Sequence, residues 1–491
     1  MTDAVTRHPD GRVELVHPDA LLTSALYSED LAPVPVVRRT WSTWDFSALW
    51  ISMAHCIPTY SMAAGMVGQG MAWWQALFTV ALGNVIVLGP ILLNSHPGTK
   101  YGIPFPVFAR AAYGTVGANL PALMRAVIAC GWFGINTWIG GMALQAFADS
   151  LYPGWATLLG TSTLVGRPFE TSQWIAFGGF WAINILIIFR GMELVRRLER
   201  FAAPFVLVMT AVLVVWAVRT AGGFGAIFAH AQGTGVFGRL FIPSLTATIG
   251  FWSTLSLNMP DFTRYGRSQR EQAIGQIVAL PTTMTLFAAM GIIITAATFV
   301  IFKRTIDDPI TLGTMFKSNR LIVAVIMFTV MVATLAVNIA ANVVSPANDF
   351  ANAWPSRINF RRGGLITGVL GVAMMPWELY ANPARYINGW LLGYSGSLGS
   401  IAGVLIVDYW ILRRTKLDLG ALYRADGEYR YTSGWNVPAV VATLVGTAVA
   451  LAGAFWEPLH FIYNWAWFVG FGLAGGLYYV MMRRSIPPAR S

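Results

Sequence analysis

The segment Ala126-Val-Ile-Ala-Cys-Gly-Trp-Phe-Gly-Ile-Asn-Thr-Trp138 places an amide side chain inside a long apolar run. Trp132 and Asn136 are four residues apart, so on a helix both side chains lie on one face. A second segment, Ala333-Thr-Leu-Ala-Val-Asn-Ile-Ala-Ala-Asn-Val-Val-Ser345, gives Asn338 and Asn342 the same spacing. Amides deep in apolar helices are costly unless they are hydrogen-bonded. The two pairs therefore predict one site, built by two related halves of the chain, for a small planar polar solute.

The chain consists mainly of apolar segments. Of its 491 residues, 56% are hydrophobic and 11% are charged, and that charged share is about half of what soluble proteins usually carry. Segments of about 20 apolar residues are long enough to cross a bilayer. The sequence therefore predicts an all-α integral membrane protein with twelve spans, at residues 44–70, 73–93, 117–149, 173–190, 201–218, 243–262, 273–302, 319–350, 364–380, 384–412, 437–456 and 460–482.

The basic residues are distributed unevenly between the predicted loops. Most of the 33 Lys and Arg fall on alternate loops, which is the positive-inside pattern and places both termini in the cytoplasm. The net charge of +11 therefore reflects topology in the inner (plasma) membrane, with the bilayer as partner, and not a nucleic-acid surface. We expect a partly disordered cytoplasmic tail at 1–43, a transmembrane domain at 44–482 and a second cytoplasmic tail at 483–491.

Two spans contain helix breakers at mid-membrane depth. The first span contains Pro58 next to His55 and Cys56, and the sixth contains Gly250 among many hydroxyl side chains. Proline removes a helix hydrogen bond, and irregular backbone at this depth is tolerated where it lines a cavity. Broken helices in corresponding halves indicate a transporter site. The layout predicts a five-plus-five inverted repeat (44–218 and 243–412), discontinuous helices one and six, and two extra helices (437–482).

Several motifs resemble those of a known family. They are Ile57-Pro-Thr-Tyr60, Gly98-Thr-Lys-Tyr-Gly-Ile-Pro-Phe-Pro106, Asn258-Met-Pro-Asp-Phe-Thr-Arg264 and Ala340-Ala-Asn-Val-Val-Ser-Pro346. Through them the chain resembles the first nucleobase:cation symporter family, which contains allantoin, uracil and hydantoin permeases. The resemblance implies the fold of the leucine transporter and secondary active import of a nucleobase or cyclic ureide by alternating access.

The resemblance also implies a substrate site. The two ring-stacking tryptophans of the family fall on Trp132 and Trp252, and its two amides fall on Asn136 and Asn342. Stacking adds about 0.5–1.5 kcal/mol beyond the buried area, and amides offer donors and acceptors to the edge of a ureide or pyrimidine. The family usually has glutamine where this chain has Asn136. Asparagine there is more typical of purine–cytosine permeases, so the exact substrate stays open.

Four further residues near the two breaks complete the candidates for substrate contact. They are His55, Cys56, Gly250 and Phe251. In contrast, Asn338 is expected to bridge helices, because amides in membrane proteins are often interhelical contacts.

The coupling ion is predicted from what the chain lacks. The resemblance places a sodium site on the carbonyl groups of Ser52, His55 and Ala333 and on the side chains of Ala336 and Val337. The last two side chains carry no oxygen, whereas a hard cation needs several. We therefore expect a degenerate site without bound metal, and transport coupled to protons and independent of sodium. A sodium-coupled symporter of the same substrates is the alternative.

Four residues are candidates for gating or coupling. His55 is a satisfied core histidine, a substrate or gate contact, or a proton carrier, since its ordinary pKa lies near 6.5. Asp261 is expected to pair with Arg264, in an inner gate or as a structural pair, and Asp408 to be an interfacial charge. Ile387 lies in the part of the tenth span that is expected to close over the substrate.

Other classes of membrane protein fit less well. An enzyme would show clusters of carboxylates or histidines for acid–base or metal chemistry, and no two ionisable residues have metal-ligand spacing inside a predicted span. A channel would show rings of charge. The sequence therefore predicts a transporter that needs no cofactor.

Overall fold

The helices of the molecule follow the apolar segments of the sequence. The computed structural model describes residues 5–163, 166, 168–190, 192–316, 318–380 and 389–485. Within these residues the chain forms twenty α-helices. They are α1 Thr43–Ala54, α2 Ile57–Gly68, α3 Trp73–Tyr101, α4 Phe105–Tyr113, α5 Asn119–Leu151, α6 Thr171–Arg190, α7 Met192–Thr220, α8 Phe224–Ala229, α9 Phe237–Asn258, α10 Pro260–Thr263, α11 Gln269–Phe302, α12 Pro309–Thr314, α13 Arg320–Asn342, α14 Val344–Ala353, α15 Phe360–Ala373, α16 Pro376–Leu379, α17 Leu392–Ile406, α18 Val437–Phe455, α19 His460–Asn464 and α20 Ala466–Met482.

Two short antiparallel hairpins accompany the helices. Strand β1 (Val5–Arg7) pairs with β2 (Val13–Leu15), and β3 (Thr161–Ser162) pairs with β4 (Phe169–Glu170). A π-helical turn, Val407–Leu412, continues α17.

Each predicted span falls on a helix or on a pair of helices. Eight helical segments in the described part of the chain are long and apolar enough to cross a membrane, and α20 with the helical turns before it forms a ninth, bent by 82°. The predicted spans 44–70, 201–218 and 364–380 correspond to shorter helices. The first of these spans is divided between α1 and α2, the second is the apolar part of α7 at Pro204–Thr220, and the third includes α15, which has 14 residues.

The helices pack in two groups. In the first group, which we call the bundle, α11 packs on α1, α2 and α3, and α3 packs on α9. In the second group, the scaffold, α5 packs on α6, α13, α14 and α15. Helix α7 contacts members of both groups, and α17, α18 and α20 pack on one another. In terms of predicted spans, the bundle contains one, two, six and seven, and the scaffold contains three, four, eight and nine.

The first predicted break is present, and its position explains the role of Pro58. Helix α1 ends at Ala54, His55 and Cys56 leave the helical path, and α2 begins at Ile57. Pro58 is therefore in the first turn of α2, where its missing N–H would have no helical partner in any case. The proline starts the second half of the span.

The second predicted break, at Gly250, is wrong. Helix α9 continues through Gly250 and is interrupted only at Met259, before Pro260. The hydroxyl groups that suggested irregular backbone are satisfied within the helix, because Ser253 donates to the carbonyl of Ile249 at 3.0 Å and Thr248 donates to that of Ser244 at 2.8 Å. Gly250 serves close packing instead, since a Cβ atom there would lie 2.9 Å from the carbonyl oxygen of Leu391.

The described part of the N-terminal segment, from residue 5 onward, packs on the helices. Arg39 is buried and donates to the carbonyl oxygens of Val34 at 2.8 Å, Val13 at 3.0 Å and Thr99 at 3.1 Å. Burial lowers the pKa of Arg39 to about 10, so the guanidinium stays charged at neutral pH. A charged side chain with three carbonyl partners fixes this segment to the end of α3.

Candidate functional site

A small cavity lies between the bundle and the scaffold, and we call it the ring cavity. Its lining comes from α1, Cys56 beside it, α5, α9 and α13. The residues are Met53, Cys56, Trp132, Asn136, Phe251, Trp252, Thr254, Leu255, Val337, Ala341 and Asn342. Six of the residues predicted from sequence to contact substrate therefore surround one space. They are Cys56, Trp132, Asn136, Phe251, Trp252 and Asn342.

Three aromatic rings shape this cavity. The ring of Phe251 stands edge-on to Trp132 at a centroid distance of 5.2 Å and edge-on to Trp252 at 4.8 Å. Trp50 meets Trp252 edge-on at 5.1 Å from the side of α1. Edge-to-face pairs of this kind are stable arrangements of aromatic rings. The cavity is therefore bounded by two indole rings with a phenyl ring in contact with both, and not by two indoles alone.

The free space in the ring cavity is small. The space open to the centre of a water-sized sphere is about 20 Å³, and one water needs about 10–15 Å³ by the same measure. A six-membered ring therefore enters only if the bundle and scaffold sides of the cavity move apart.

Two polar groups of the lining lack partners among the described residues. Asn136 donates through Nδ2 to the carbonyl of Trp132 at 3.1 Å, but its Oδ1 is buried without a hydrogen bond. The indole N–H of Trp252 is also buried without a partner. Leaving a buried donor or acceptor unsatisfied costs about 1–3 kcal/mol. One acceptor and one donor are thus free to bind a solute that presents both an N–H and a C=O group.

The second amide pair is tied into the scaffold. Asn342 donates to Oδ1 of Asn338 at 3.1 Å. Asn338 in turn donates through Nδ2 to Thr137 Oγ1 and to Asn184 Oδ1, each at 3.1 Å. Asn338 therefore connects α13 to α5 and α6, which confirms the bridging role expected from the sequence, and it orients Asn342 toward the cavity.

Tyr394 is a residue that the sequence argument missed. Its hydroxyl accepts from the indole N–H of Trp132 at 3.1 Å and donates to the carbonyl oxygen of Gly250 at 3.0 Å. One buried hydroxyl thereby joins α5, α9 and α17 and holds the Trp132 ring. The close approach of α17 to Gly250 makes this bridge possible, so Gly250 contributes to the site through its backbone.

His55 faces a different cavity. Its side chain lines a space of about 90 Å³ together with Cys56, Thr210, Phe287 and residues of α13. The ring stands edge-on to Phe287 at 4.4 Å, and Nε2 forms a hydrogen bond with the Thr210 hydroxyl. The walls of this His55 cavity are almost entirely apolar. Cys56 lines both cavities, so the break between α1 and α2 separates them.

The residues that the sequence predicts for a degenerate sodium site lie where α1 packs on α13. Ala336 and Val337 are buried, and Ser52 is buried on α1 with its hydroxyl unpartnered among the described residues. The side chains at 336 and 337 offer no oxygen to a cation. The described part of the chain also holds no group of three or more His, Cys, Asp or Glu that fits a metal ion.

The two candidate aspartates have different surroundings. Asp408 accepts from Arg413 Nε at 2.9 Å and from the Tyr478 hydroxyl at 2.7 Å. It is therefore a buried structural ion pair and not an interfacial charge, which corrects the expectation from its position late in the tenth span.

Asp261 does not form the ion pair that was expected with Arg264. Its Oδ1 accepts from the backbone N–H of Phe105 at 3.0 Å, and the side chains of Ser345 and Arg264 also act on this carboxylate. Arg264 donates instead to the carbonyl of Asp30 at 2.8 Å and to the Tyr265 hydroxyl at 3.0 Å. Ile387 lies outside the described residues.

Comparison with known proteins gives one family and one fold. The family described as permeases for cytosine/purines, uracil, thiamine, allantoin matches residues 33–475. The allantoin permease of Bacillus subtilis (strain 168) is 39% identical over 470 residues, which cover 95% of both chains. The purine-uracil permease of Arabidopsis thaliana is 41% identical over 482 residues, which cover 94% of this chain and 78% of that protein.

The structural comparison concerns the fold alone. A transporter of the nucleobase-cation-symport-1 family, solved in a closed conformation with bromovinylhydantoin bound, superimposes with a TM-score of 0.76 at 24% identity. The match covers 94% of this chain and 97% of that one. This similarity confirms the predicted fold class.

Proposed function

The chain belongs to the family of permeases for cytosine/purines, uracil, thiamine and allantoin, and we propose that it imports a nucleobase or related cyclic ureide of the allantoin, uracil or hydantoin class. The family consists of permeases, so the protein is a membrane transporter and not an enzyme. We place it in the plasma membrane with both termini in the cytoplasm, because most of its Lys and Arg lie on that side of the predicted spans.

The ring cavity is the observation that carries this proposal. Its indole and phenyl rings offer apolar faces to a flat ring, and Asn136 Oδ1 and Trp252 Nε1 offer an unpartnered acceptor and donor. Nucleobases and cyclic ureides present N–H and C=O groups on one edge, which match that pair. A site built around such groups also discriminates against rings that leave them unpaired.

The same site favours a second candidate within the family. Asn136 is one methylene shorter than the glutamine that we expect in allantoin and uracil permeases. A larger ring would bring its polar edge closer to this amide. A purine or cytosine is therefore the alternative substrate class.

Alternating access follows from the two helix groups. The bundle contributes Cys56, Phe251 and Trp252 to the cavity, and the scaffold contributes Trp132, Asn136 and Asn342. A rocking motion of one group against the other opens the space between them to either side. The small free volume of the cavity is consistent with a site that a ring enters only during such a motion.

A screen of ring compounds tests the substrate class. Purified protein is heated with uracil, cytosine, allantoin, hydantoins or purines, because a ligand at 100 times its Kd stabilises the folded state by about 2.7 kcal/mol. A compound that stabilises the protein is then used for counterflow in proteoliposomes. Exchange of labelled for unlabelled compound supports a carrier, and a signal without exchange contradicts the proposal.

The coupling ion is proposed to be a proton and not sodium. Ala336 and Val337 provide no side-chain oxygen where a sodium-using relative is expected to need two, and a hard cation depends on several. Substrate affinity should therefore be the same at zero and 150 mM sodium, with choline as the control salt. A tenfold gain in affinity with sodium, about 1.4 kcal/mol of coupling, would contradict sodium independence. If the wild-type protein is independent of sodium, the double variant Ala336→Ser and Val337→Thr should gain a sodium-dependent increase in substrate affinity.

A further inference from the structure

Three charged side chains are buried together where α5, α10 and α14 meet. Arg125 lies on α5, Asp261 on α10 and Asp349 on α14, and none of the three is exposed. Arg125 Nη1 lies 3.6 Å from Asp349 Oδ2. The charge of Asp261 acts on both of these groups. We call this set the aspartate–arginine cluster.

The cluster is poorly satisfied by hydrogen bonds. Among the described residues, neither carboxylate oxygen of Asp349 has a hydrogen bond. Arg125 Nε and Nη1 lack acceptors. A buried ionised carboxylate is stable only if it is paired and hydrogen-bonded, and otherwise it takes up a proton. Asp349 therefore has the surroundings of a carboxyl group that alternates between its charged and neutral forms.

Two other arginines near the cluster donate their hydrogen bonds to groups outside it. Arg264 directs its N–H groups to Asp30 and Tyr265. Arg110 donates to the side chain of Asn352 and to the carbonyls of Leu422 and Leu26.

The charges that act on the cluster come from its own members and from Arg264. Arg125 is influenced by both carboxylates and by the Cys130 thiol, and Asp349 is influenced by Arg125 and Asp261. Arg264 acts on Asp261. A single proton on one carboxyl group leaves a neutral arginine–aspartate pair. A metal cation would instead lie beside the guanidinium of Arg125, which repels it.

The cluster lies between the ring cavity and a larger polar cavity. That second space, of about 570 Å³, is lined by Asp30, Arg264 and Asn348 among others. Asn348 precedes Asp349 and has no hydrogen-bond partner for its amide among the described residues. On the opposite side, Arg125 Nη2 donates to the carbonyl oxygen of Ala341 at 3.2 Å, and Ala341 lines the ring cavity beside Asn342.

We propose that Asp349 carries the transported proton, with Arg125 and Asp261 as the charges that make its protonation depend on the state of the carrier. This inference rests on the proposed transport function. The Asp349 carboxylate forms an O–H bond with a proton from a hydronium ion, which leaves as water, and it later returns that proton to a water molecule on the side of the cavity that Asn348 lines. The Arg125–Ala341 hydrogen bond links the charge of the cluster to the α13 wall of the ring cavity.

The test compares accumulation with exchange in proteoliposomes. One coupled proton limits accumulation to about tenfold for each pH unit of gradient, because one pH unit equals 1.36 kcal/mol. Wild-type protein should approach this ratio. Asp349→Asn should keep counterflow within threefold of wild type but lose all accumulation under the gradient, and Asp349→Glu should restore part of it. Asp349→Asn protein that still accumulates tenfold would overturn the inference.

The matched control is Asp408→Asn. Asp408 is equally buried and also pairs with an arginine, but both of its oxygens are satisfied. This variant should lower the amount of folded protein and leave the accumulation ratio unchanged. A wild-type protein that exchanges substrate but does not respond to the pH gradient would overturn proton coupling itself, whereas a gradient response that survives Asp349→Asn overturns only the assignment to Asp349.

A spectroscopic measurement covers the case in which Asp349→Asn does not fold. Infrared difference spectroscopy of the wild-type protein detects the C=O stretch of a buried protonated carboxyl group. The band should appear as pH falls through the range in which transport rises. Its absence throughout that range would overturn the inference, because no buried carboxyl group would then take up the proton.

Discussion

The scaffold side and the bundle side of the ring cavity are built in opposite ways. On the scaffold side, Asn338 connects α5, α6 and α13 through hydrogen bonds to Thr137 and Asn184 and holds Asn342. On the bundle side, the lining comes from a broken span at Cys56 and from rings on α9 that pack edge-on. The Asn338 network of the scaffold is satisfied by hydrogen bonds, whereas Asn136 Oδ1 of the scaffold and the Trp252 N–H of the bundle have no partner among the described residues.

From this difference we expect one side of the cavity to recognise the substrate and the other side to move. Buried polar networks that are fully satisfied make a structure rigid, so the scaffold amides present a fixed polar edge. The bundle side instead combines an interrupted helix with ring contacts and no such hydrogen-bond network among the described residues. We therefore expect selectivity to depend mainly on the scaffold and closure mainly on the bundle.

The largest expected effect is the loss of either tryptophan. Trp132→Ala and Trp252→Ala each remove one ring from the cavity and should cost about 2–4 kcal/mol of substrate binding, by analogy with truncation of buried aromatic residues. Uptake should be abolished in both, although folded protein remains in the membrane. Trp138→Ala is the control on the same helix, because Trp138 packs against Phe177 and Trp377 away from the cavity. Uptake within threefold of wild type for both cavity variants would exclude the stacking model.

Removal of the scaffold network should act first on stability. Asn338→Leu deletes the donor to Thr137 and Asn184 and leaves both acceptors buried, which costs about 1–3 kcal/mol. The midpoint of thermal unfolding in detergent should fall, and the remaining protein should bind substrate more weakly because Asn342 loses its partner. Thr137→Val removes one bond of the network and should cost about 0.6 kcal/mol. Equal midpoints for wild type and Asn338→Leu would show that the scaffold does not depend on this network.

A change in the length of the scaffold amide should alter selectivity more than rate. Asn136→Gln moves the amide into the cavity by one methylene group, which is typically worth about 1–3 kcal/mol of discrimination. Small rings such as uracil and hydantoin should gain relative to purines. Inhibition of uptake by ten ring compounds measures the ranking, and an unchanged order would mean that Asn136 does not face the ligand.

The smallest of these effects is expected from the hydroxyl that joins the two sides. Tyr394→Phe removes the acceptor of the Trp132 N–H and the donor to Gly250, so affinity should fall by about 0.5–1.5 kcal/mol. Tyr423→Phe is the matched control, since its hydroxyl binds the carbonyl of Leu31 outside the cavity. Binding that is equally strong in wild type and Tyr394→Phe would show that Trp132 needs no such support.

Much of the fold and the grouping of the cavity residues can be predicted from the sequence. Apolar length marks nine of the twelve spans, and the i,i+4 spacing places Trp132 and Asn136 on the same cavity wall. The error at Gly250 arose because hydroxyl side chains satisfied within a helix look the same in sequence as those that line an irregular segment. The position of His55 depends on how the chain turns between α1 and α2, which residue types alone do not determine.

Contacts between distant segments are the part that a single sequence does not reveal. Tyr394 is an aromatic residue in an apolar run, and nothing in its neighbours distinguishes it from a core residue. Arg125 on α5 and Asp349 on α14 are far apart in the sequence, yet their side chains lie next to each other in the folded protein. A charged residue in an apolar segment is a signal that could have marked both of them as functional candidates.

Structure determination with saturating substrate tests the central claim most directly, because the protein has two cavities that meet at Cys56. We predict that the ring lies in the ring cavity, between Trp132 and Trp252, with its polar edge on Asn136 and Asn342 and with the bundle and scaffold walls farther apart than in the present structure. A substrate bound instead in the apolar cavity beside His55 and Thr210, without contact to Trp132, would contradict the account.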